Sequence, residues 1–259
     1  MLKPQLLSIV MIVKNEAELL PNMLDSVIDW ANEIVILDCG SNDKTYEIAL
    51  SYGVKVYQTT EWLGFGKQRQ YAQTLSTGDM ILMIDADERI TPKLRHSIQE
   101  VLKQPQPNKV YSFRRKNIFL GYCMKYSGWN PDEVIRLYPR SFNYNNNLVH
   151  ESLDIKNALV ILLHGDLEHF TCRDLNIFQH KQLNYAKAWA EDRFQSRKYY
   201  SFLSIFNHML GAFLNTLLIR RGILDGKRGW ILAIVNAQYT FNKYSALWCL
   251  YHNSSRKDL

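Results

Sequence analysis

Short apolar runs alternate with amphipathic segments over the N-terminal part of the chain. Four short runs predict strands, namely residues 7–13, 34–37, 54–57 and 80–84. The run 7–13 is expected to be covered on both faces, and the run 34–37 is expected to be buried. Three segments between them predict helices, namely residues 15–30, 45–52 and 67–75. This alternation predicts an α/β fold with an open, mostly parallel sheet, whose neighbouring strands are joined by right-handed crossovers.

The pattern changes twice in the remainder of the chain. A helix is predicted over residues 92–103, and two strands, over 110–119 and 134–138, flank a loop rich in Gly, Trp and Tyr. From about Asp174 onwards, apolar residues recur at three- and four-residue intervals, which predicts a helical C-terminal region.

One stretch of that region, residues 199–219, contains no Asp, Glu, Lys or Arg and is long enough to span a bilayer. Asn207, His208 and Asn215 interrupt it, and basic residues flank it on both sides. We therefore expect a helix that lies in a membrane interface or packs on a partner, rather than one that spans the membrane.

The composition of the 259-residue chain narrows its class. Hydrophobic residues make up 47% and aromatic residues 12%, which excludes a disordered chain, a collagen-like repeat and a small disulfide scaffold. The net charge is +6, but residues 1–169 carry 18 basic and 20 acidic side chains, whereas residues 170–259 carry 13 and 5. Because the basic region is also rich in Leu, Ile, Phe and Trp, we expect it to contact an anionic membrane and not nucleic acid.

The cysteines and the N-terminal residues predict a cytoplasmic protein. Cys39, Cys123, Cys172 and Cys249 are far apart and form no C-x-x-C pair, so we expect reduced thiols. The apolar run Ser8–Val13 is too short for a signal-peptide core and lacks a small-residue cleavage site.

Polar residues follow three of the predicted strands: Lys14-Asn15-Glu16, residues 38–43, and Asp85-Ala86-Asp87. In open parallel sheets, ligands bind outside the carboxyl ends of the strands. The three polar clusters are therefore expected to meet at one edge of the sheet and to form the site there.

Asp85 and Asp87 carry the sharpest chemical signal. Two carboxylates one residue apart at the end of a strand can share a hard divalent cation, and Mg²⁺ or Mn²⁺ would bridge them to a diphosphate. The alternative is an acidic loop that caps the next helix. Glu88 is expected to support the turn.

The loop Asp38–Thr45 reads DCGSNDKT. Gly40 permits a tight turn, and Asp43 is expected to cap the following helix. Asp38 precedes this cap and is expected to face the ligand, where its carboxylate can accept a hydrogen bond from a nucleobase imide.

Three of these motifs resemble the family-2 inverting glycosyltransferases with a GT-A fold: Ser8–Glu16 (SIVMIVKNE), Asp38–Thr45 (DCGSNDKT) and Asp85–Glu88 (DADE). Four more are similar to the bacterial lipopolysaccharide/lipooligosaccharide inner-core β-glucosyltransferase branch: Trp62–Arg69 (WLGFGKQR), Val149–Glu151 (VHE), Gly222–Gly226 (GILDG) and Lys243–Trp248 (KYSALW). Gln70 departs from that branch, where Asn is expected, and Cys39 replaces a commonly small or acidic residue.

The resemblance implies a domain organisation. Residues 1–170 would form the GT-A catalytic domain, with a nucleotide-sugar half over about 1–105 and an acceptor half over about 106–170. Residues 171–259 would form a basic, aromatic-rich helical appendage that docks on a membrane or a partner.

The resemblance also implies a UDP-linked sugar as donor. Six residues would bind it: Asn15, Glu16, Asp38, Lys67, Arg69 and Asp85. Asp38 would contact the uracil, Glu16 and Asp85 would lie at the ribose, and the two basic side chains would neutralise phosphate. For the basic pair, the alternative is a solvated start of a helix.

Asp87 and His169 are the metal ligands that the resemblance implies. Asp87 would bind the divalent cation at the diphosphate, and His169 stands where GT-A enzymes frequently recruit a late histidine to the metal. A structural hydrogen-bonding role is the alternative for this histidine.

An inverting transfer needs a general base that takes the proton of the acceptor hydroxyl. We predict Glu151, because Val149-His150-Glu151 follows the acceptor-side region, as catalytic carboxylates do in this fold. Asp132 is the second candidate, and a structural ion pair is the alternative role for Glu151.

These features predict an enzyme on the cytoplasmic face of the inner membrane that moves a hexose, glucose from UDP-glucose, to a lipid-anchored heptose of the lipopolysaccharide inner core. A close alternative is the same fold acting on a peptide or on another polysaccharide. Outside the enzymes, the alternative is a non-catalytic anion-binding module with a nucleic-acid-binding tail. The oligomeric state is left open.

Overall fold

A computed structural model describes residues 4–104, 106–146, 152–155 and 157–255. Contacts between residues divide the chain into two compact units. The first comprises Met1–Lys116 and Asp132–His169, and the second comprises Asn117–Pro131 and Phe170–Leu259. The chain therefore passes from the first unit into the second twice.

Four parallel strands follow the four apolar runs. They are β1 (Leu7–Val13), β2 (Glu33–Asp38), β3 (Lys55–Gln58) and β4 (Met80–Met83), and they lie in the order β3-β2-β1-β4. The helices between them are α1 (Leu20–Asp25), α2 (Thr45–Ser51) and α3 (Phe65–Thr74). The predicted α/β fold is confirmed.

Five further strands extend the sheet with mixed direction: β5 (Glu88–Ile90), β6 (Lys109–Phe119), β7 (Tyr122–Cys123), β8 (Glu133–Pro139) and β9 (Leu159–Cys172). From β4 the order continues through β8, β6 and β9 to β5, and β7 pairs with β6. β8 runs antiparallel to β4 and β6, and β5 runs antiparallel to β9. Helix α4 (Pro92–Leu102) lies between β5 and β6 in the chain.

Strand β1 is buried on both faces, which explains its unbroken apolar sequence. Ile9 and Met11 belong to one hydrophobic core, together with Leu20 of α1. Val10 belongs to a second core, together with Ala72 of α3. The two layers of helices on either side of the sheet therefore hold the strand ends, and the loops that follow them, in fixed positions.

Helix α1 is much shorter than the helix predicted over residues 15–30. Asn15 adopts a left-handed backbone conformation with φ of 56°, which no helix interior accepts. Pro21 occupies the first helical turn, where its fixed φ favours a helix start. Bends and turns fill most of the remainder of the predicted segment.

Strand β9 has no counterpart among the predicted elements. Gly165 interrupts its pattern, with φ of 105°. A Cβ at this position would lie 2.3 Å from the backbone nitrogen of Leu94 in α4, so the helix approaches the strand too closely for any side chain. Gly165 therefore interrupts the apolar pattern because α4 packs against the strand there, and the strand continues through this residue.

The second unit contains three long helices: α5 (Leu175–Gln195), α6 (Phe202–Leu214) and α7 (Gly226–Ser255). Asp174 and Ser201 cap α5 and α6 by accepting hydrogen bonds from backbone N–H groups. Helix α7 packs against both α5 and α6. A π-helical turn (Asn215–Ile219) and a 3-10 turn (Gly222–Asp225) connect α6 to α7.

Within the described part of the chain, Phe202–Ile219 is the one helical stretch whose length and composition would allow it to cross a bilayer. Most of its apolar side chains are exposed, including Phe202, Leu203, Leu210 and Leu218. An exposed apolar helix fits a membrane interface or a partner surface equally well, so the role predicted for it stays a prediction.

Candidate active site

The loops that follow β1 and β2 bind each other. The backbone N–H of Asn15 donates to Oγ of Ser41 at 2.9 Å, and the N–H of Asn42 donates to Oδ1 of Asn15 at 2.8 Å. The N–H of Glu16 donates to Oγ1 of Thr45 at 2.8 Å. The structure thus brings together two polar clusters that lie far apart in the sequence.

Asp43 binds the first residue of α2, but the N-cap position of this helix is Lys44 and not Asp43 as expected. Its carboxylate accepts hydrogen bonds from the backbone N–H of Thr45 at 3.0 Å and of Ala17 at 3.1 Å. Burial alone would raise the pKa of Asp43, but these hydrogen bonds and one from the Thr45 hydroxyl outweigh it and lower the pKa below its usual value. Asp43 therefore remains ionised and keeps the two loops joined.

Asp38 lies at the end of β2 and is fully buried. Its Oδ1 accepts a hydrogen bond from the N–H of Ser41 at 2.9 Å, and its Oδ2 accepts a longer one from Gln58 Nε2 at 3.4 Å. Gly40, with φ of 79°, makes this turn possible. A uracil bound at Asp38 would share this carboxylate with the N–H of Ser41, which already donates a hydrogen bond to it.

Asp85 lies between two buried arginines. Its Oδ1 is 2.8 Å from Nη2 of Arg69, and its Oδ2 is 2.5 Å from Nη2 of Arg136. Burial alone would raise the pKa of Asp85, but the charges of Arg136 and Arg69 outweigh it and hold this pKa well below its usual range. The resemblance assigns Asp85 to the sugar donor, but in the structure its carboxylate forms ion pairs with two side chains of the protein itself.

Glu88 belongs to the same network and supports the turn, as expected. Its Oε2 accepts a hydrogen bond from the backbone N–H of Asp85 at 3.0 Å, and its Oε1 lies 2.7 Å from Nη2 of Arg136. Oε1 is also 3.6 Å from Nη1 of Arg115. Because Glu88 is fully buried, its carboxyl oxygens need partners inside the protein, and these two guanidinium groups and the N–H of Asp85 provide them.

Arg115 extends the network to Asp132, the second candidate for the catalytic base. Its Nε lies 2.8 Å from Oδ2 of Asp132, and its backbone N–H donates to the Asp132 carbonyl at 2.7 Å. Three carboxylates and three guanidinium groups thus form one balanced cluster. Asp132 is fixed in it by two contacts with the same residue.

The structure brings together Asp87 and His169, the two predicted metal ligands. Oδ2 of Asp87 is 3.3 Å from Nε2 of His169, because β5 pairs with β9 in a register that places Glu88 opposite His169. One carboxylate and one imidazole suit a cation whose other ligands are diphosphate oxygens and water. No group of three or more candidate ligands exists within the described residues, so a cation here would depend on the donor.

Arg89 connects this turn to the loop after β1. Its Nη1 donates to the carbonyls of Ala86 at 2.7 Å and Glu88 at 2.6 Å, and its Nη2 donates to the carbonyl of Leu19 at 2.6 Å. The turn that carries Asp87 is therefore anchored to the same loop that carries Asn15 and Glu16.

Lys67 and Arg69 lie in the first turns of α3 but differ in their surroundings. Lys67 is exposed, whereas Arg69 is buried beside Asp85, and its guanidinium lies 5.4 Å from the centre of the Tyr144 ring. Glu151, the predicted base, lies outside the described residues, as does His150.

Sequence reasoning missed the arginines that organise the site, Arg115, Arg136 and Arg89. One signal existed for Arg136: it is the lone charge inside the apolar run Val134–Tyr138. A charged residue that is 94% buried requires a partner, and Asp85 and Glu88 provide it.

The sequence profile of glycosyl transferase family 2 matches residues 8–153, which is more than half of the chain. The chain belongs to this family. The GT-A fold that the motifs implied is therefore the fold of this glycosyltransferase.

Relatives of this family-2 glycosyltransferase match it along most of its length. An uncharacterized glycosyltransferase of Rickettsia typhi is 26% identical over 93% of this chain and 86% of its own. The lipopolysaccharide core biosynthesis glycosyltransferase LpsC of Rhizobium meliloti is 28% identical over 91% of this chain and 89% of its own. Among solved structures, glucosyl-3-phosphoglycerate synthase of Mycobacterium tuberculosis, in complex with Mg²⁺ and UDP, has a TM-score of 0.45 at 16% identity over 68% of this chain and 74% of its own.

Proposed function

We propose that this glycosyltransferase moves glucose from UDP-glucose to a heptose of the lipopolysaccharide inner core, with inversion at the transferred carbon. The observation that carries the donor half is the pairing of Asp87 with His169 at 3.3 Å, in a turn anchored to the loop of Asn15 and Glu16. The acceptor half is supported by the inner-core motifs and by the similarity to LpsC.

The nucleotide would lie across the carboxyl ends of β1, β2 and β4. Asp38 would accept a hydrogen bond from the uracil, and Asn15 and Glu16 would line the ribose region. Lys67, which is exposed at the start of α3, is placed to neutralise phosphate. Arg69 and Asp85 bind each other, so we assign them the support of this surface rather than a direct charge on the donor.

Asp87 and His169 would hold a divalent cation at the diphosphate. When bound, the cation stabilises the charge of the departing diphosphate as a Lewis acid. His169 must be neutral to offer Nε2 as a ligand, and Asp87 must be ionised.

A base must take the proton of the acceptor hydroxyl while the hydroxyl oxygen attacks the sugar carbon and the bond to the diphosphate breaks. Asp132 is occupied by Arg115 at 2.8 Å, so Glu151 remains our choice. Glu151→Gln should abolish transfer and spare UDP binding, whereas normal transfer by this variant would move the assignment to Asp132.

The second unit would place the enzyme on the cytoplasmic face of the inner membrane, where its acceptor is anchored. We define residues 218–230 as the docking tip. Five large apolar side chains of the tip are exposed: Leu218, Ile219, Ile223, Leu224 and Trp230. Its four basic residues are exposed as well, and its acid, Asp225, is buried. Apolar and basic groups on one surface suit an anionic lipid headgroup layer.

A thermal-shift panel of UDP-, GDP- and ADP-glucose with Mn²⁺ tests the donor. Stabilisation by UDP-glucose with Mn²⁺ supports the proposal, and stabilisation by a purine nucleotide sugar alone overturns the donor assignment. Transfer to a lipid-anchored heptose acceptor tests the acceptor, with a peptide and an unrelated polysaccharide in parallel. Transfer to either of those instead would replace the acceptor assignment.

A further inference from the structure

The second unit contains a polar cavity of about 260 Å³ that the glycosyl-transfer site does not use. Its walls come from the loop around Trp129, from the end of α6 and the π-helical turn with Asn215, and from α7 with Asn236 and Tyr239. Small-molecule pockets start at roughly 300 Å³, so this cavity suits a ligand about the size of one sugar ring.

The lining carries one charge, the guanidinium of Arg220, and no carboxylate. The backbone of Arg220 is fixed, since its N–H donates to the carbonyl of Asn215 and its carbonyl accepts from the N–H of Ser127, both at 2.8 Å. Its side chain forms no ion pair or hydrogen bond with any residue that the structure describes. A fixed backbone with an uncommitted guanidinium is the arrangement expected for binding an anionic group.

Two glycines let the walls of the cavity approach each other. A Cβ on Gly128 would lie 2.2 Å from Nη1 of Arg220, so the guanidinium rests against the bare backbone of the loop. A Cβ on Gly222 would lie 2.6 Å from the carbonyl oxygen of Thr216. Larger residues at either position would push the walls apart.

Asp225 fixes the loop that forms one wall. Its carboxylate is buried and accepts hydrogen bonds from the backbone N–H of Lys125 at 3.0 Å and of Tyr126 at 3.1 Å, and from the Ser127 hydroxyl at 2.7 Å. Charge-assisted hydrogen bonds of this kind hold a loop in one conformation. The motif Gly222–Gly226 thus contributes Asp225, which holds the loop that forms one wall of the cavity.

We propose that this cavity binds one anionic sugar residue, phosphorylated or carboxylated, of the saccharide acceptor. Arg220 would pair with the anionic group in bidentate geometry. The amides of Asn215 and Asn236 would bind sugar hydroxyls, and the indole of Trp129 would cover an apolar face of the ring. The exposed apolar residues of the docking tip flank Arg220 in the chain, which suits an acceptor that carries lipid. This assignment rests on the proposed function in so far as the acceptor is a saccharide.

The test measures binding of a deacylated, phosphorylated inner-core oligosaccharide to the full-length protein by isothermal titration calorimetry, without donor. We expect saturable binding by the wild type and a loss of about tenfold or more in affinity for Arg220→Ala. Arg220→Lys should retain part of the affinity, because a point charge replaces a bidentate one. Arg197→Ala, at an exposed arginine of the second unit that lies outside the docking tip, is the matched control and should bind as the wild type does.

Removal of the phosphate from the oligosaccharide should weaken binding to the wild type and leave binding to Arg220→Ala unchanged. Equal affinity of Arg220→Ala and the wild type for the phosphorylated probe would overturn the proposal. So would equal affinity of the wild type for inorganic phosphate and for the oligosaccharide, because the cavity would then recognise an anion and no sugar.

Thermal shift with UDP and Mn²⁺ separates this proposal from the proposed function. Arg220→Ala should keep the UDP-dependent stabilisation of the wild type while losing the oligosaccharide. A wild type that binds the oligosaccharide but not UDP would refute the donor assignment and leave the cavity in place. A wild type that binds UDP but not the oligosaccharide would refute the cavity assignment alone.

Discussion

Nε2 of His169 lies 3.3 Å from Oδ2 of Asp87, although the two residues are far apart in the sequence. The pairing of β5 with β9 creates this relationship, since it sets His169 opposite Glu88, the residue after Asp87. The distance between the two side chains therefore depends on the pairing register of β5 and β9.

Alanine at either Asp87 or His169 should abolish stabilisation by Mn²⁺ with UDP and reduce transfer by about 100-fold or more, because each removes one of the two proposed protein ligands. His164→Ala is the control, as an exposed histidine of the same strand. Thermal shift and a transfer assay with added Mn²⁺ provide the measurements. Undiminished activity of Asp87→Ala would refute the metal assignment.

Asp85→Asn should destabilise the protein by about 2 kcal/mol, because Arg69 and Arg136 lose a shared carboxylate in a largely buried network. Asp87→Asn, in the same turn, should change the free energy of unfolding by less than about 0.5 kcal/mol, since it lies outside that network. Urea denaturation of both variants checks the difference. An Asp85→Asn variant with wild-type stability and a raised KM for UDP-glucose would instead favour the direct ribose contact.

Glu33 should contribute a pH-dependent part of the stability. Burial alone would raise its pKa, but hydrogen bonds from Lys55, Ser8 and Thr77 lower the pKa from 4.5 to about 2. A carboxyl whose pKa is lower in the folded state stabilises the fold above the unfolded value of about 4.5, and this stabilisation is lost as the pH falls towards 2.

Glu33→Gln should therefore lower the free energy of unfolding at pH 7 by up to about 3 kcal/mol, and the difference from the wild type should shrink between pH 4.5 and 2. Urea denaturation across this range is the measurement. Glu100→Gln is the control, because that carboxylate is exposed and pairs with Lys103 at the surface. A difference that stays constant with pH would show that the ionisation of Glu33 does not contribute.

The docking tip should govern membrane binding. Ile219→Asp combined with Leu224→Asp should release most of the protein from vesicles that contain anionic phosphatidylglycerol, because both side chains are exposed and apolar. Leu159→Asp, at an equally exposed leucine of the first unit, should remain bound. Vesicle flotation at low and physiological salt is the measurement, and unchanged flotation of the double variant would exclude the tip as the anchor.

Deletion of residues 200–259 is a poorer test, since it also removes Asp225 and the loop contacts that Asp225 makes.

The sequence predicted the parallel half of the sheet well. Strands β1, β2 and β4 are almost entirely buried and therefore largely apolar, and polar loops mark their ends. It also grouped Asp87 with His169, which lie 3.3 Å apart in the structure, whereas their role as metal ligands stays a prediction. The length of helix α1 was overestimated. The sequence pattern favours a helix from residue 15, but Asn15 has a left-handed backbone conformation and the helix begins only beside Pro21. Strand β9 was missed, since Gly165 serves a contact with α4 that no local pattern records.

The charge network around Asp85 was beyond prediction for a related reason. Arg69, Arg115 and Arg136 come from a helix and two different strands, and they reach Asp85 and Glu88 only when α3 and the strands are in place. The motif Asp85–Glu88 contains no arginine, so a comparison of motifs assigns Asp85 to a ligand and not to the arginines that surround its carboxylate. The contact of Asp85 with the ribose stays a prediction, whereas its ion pairs with Arg69 and Arg136 are seen only in the folded structure.

Asp225 accepts hydrogen bonds from backbone groups about one hundred positions away, and these bonds tie residues 117–131 to the C-terminal helices of the second unit. Natural recombination or a designed chimera that exchanged only the C-terminal helices between relatives would separate Asp225 from the loop that it holds. Both stretches must be inherited together. Diversification of this unit in evolution is thus expected to proceed by paired changes at two distant places in the gene.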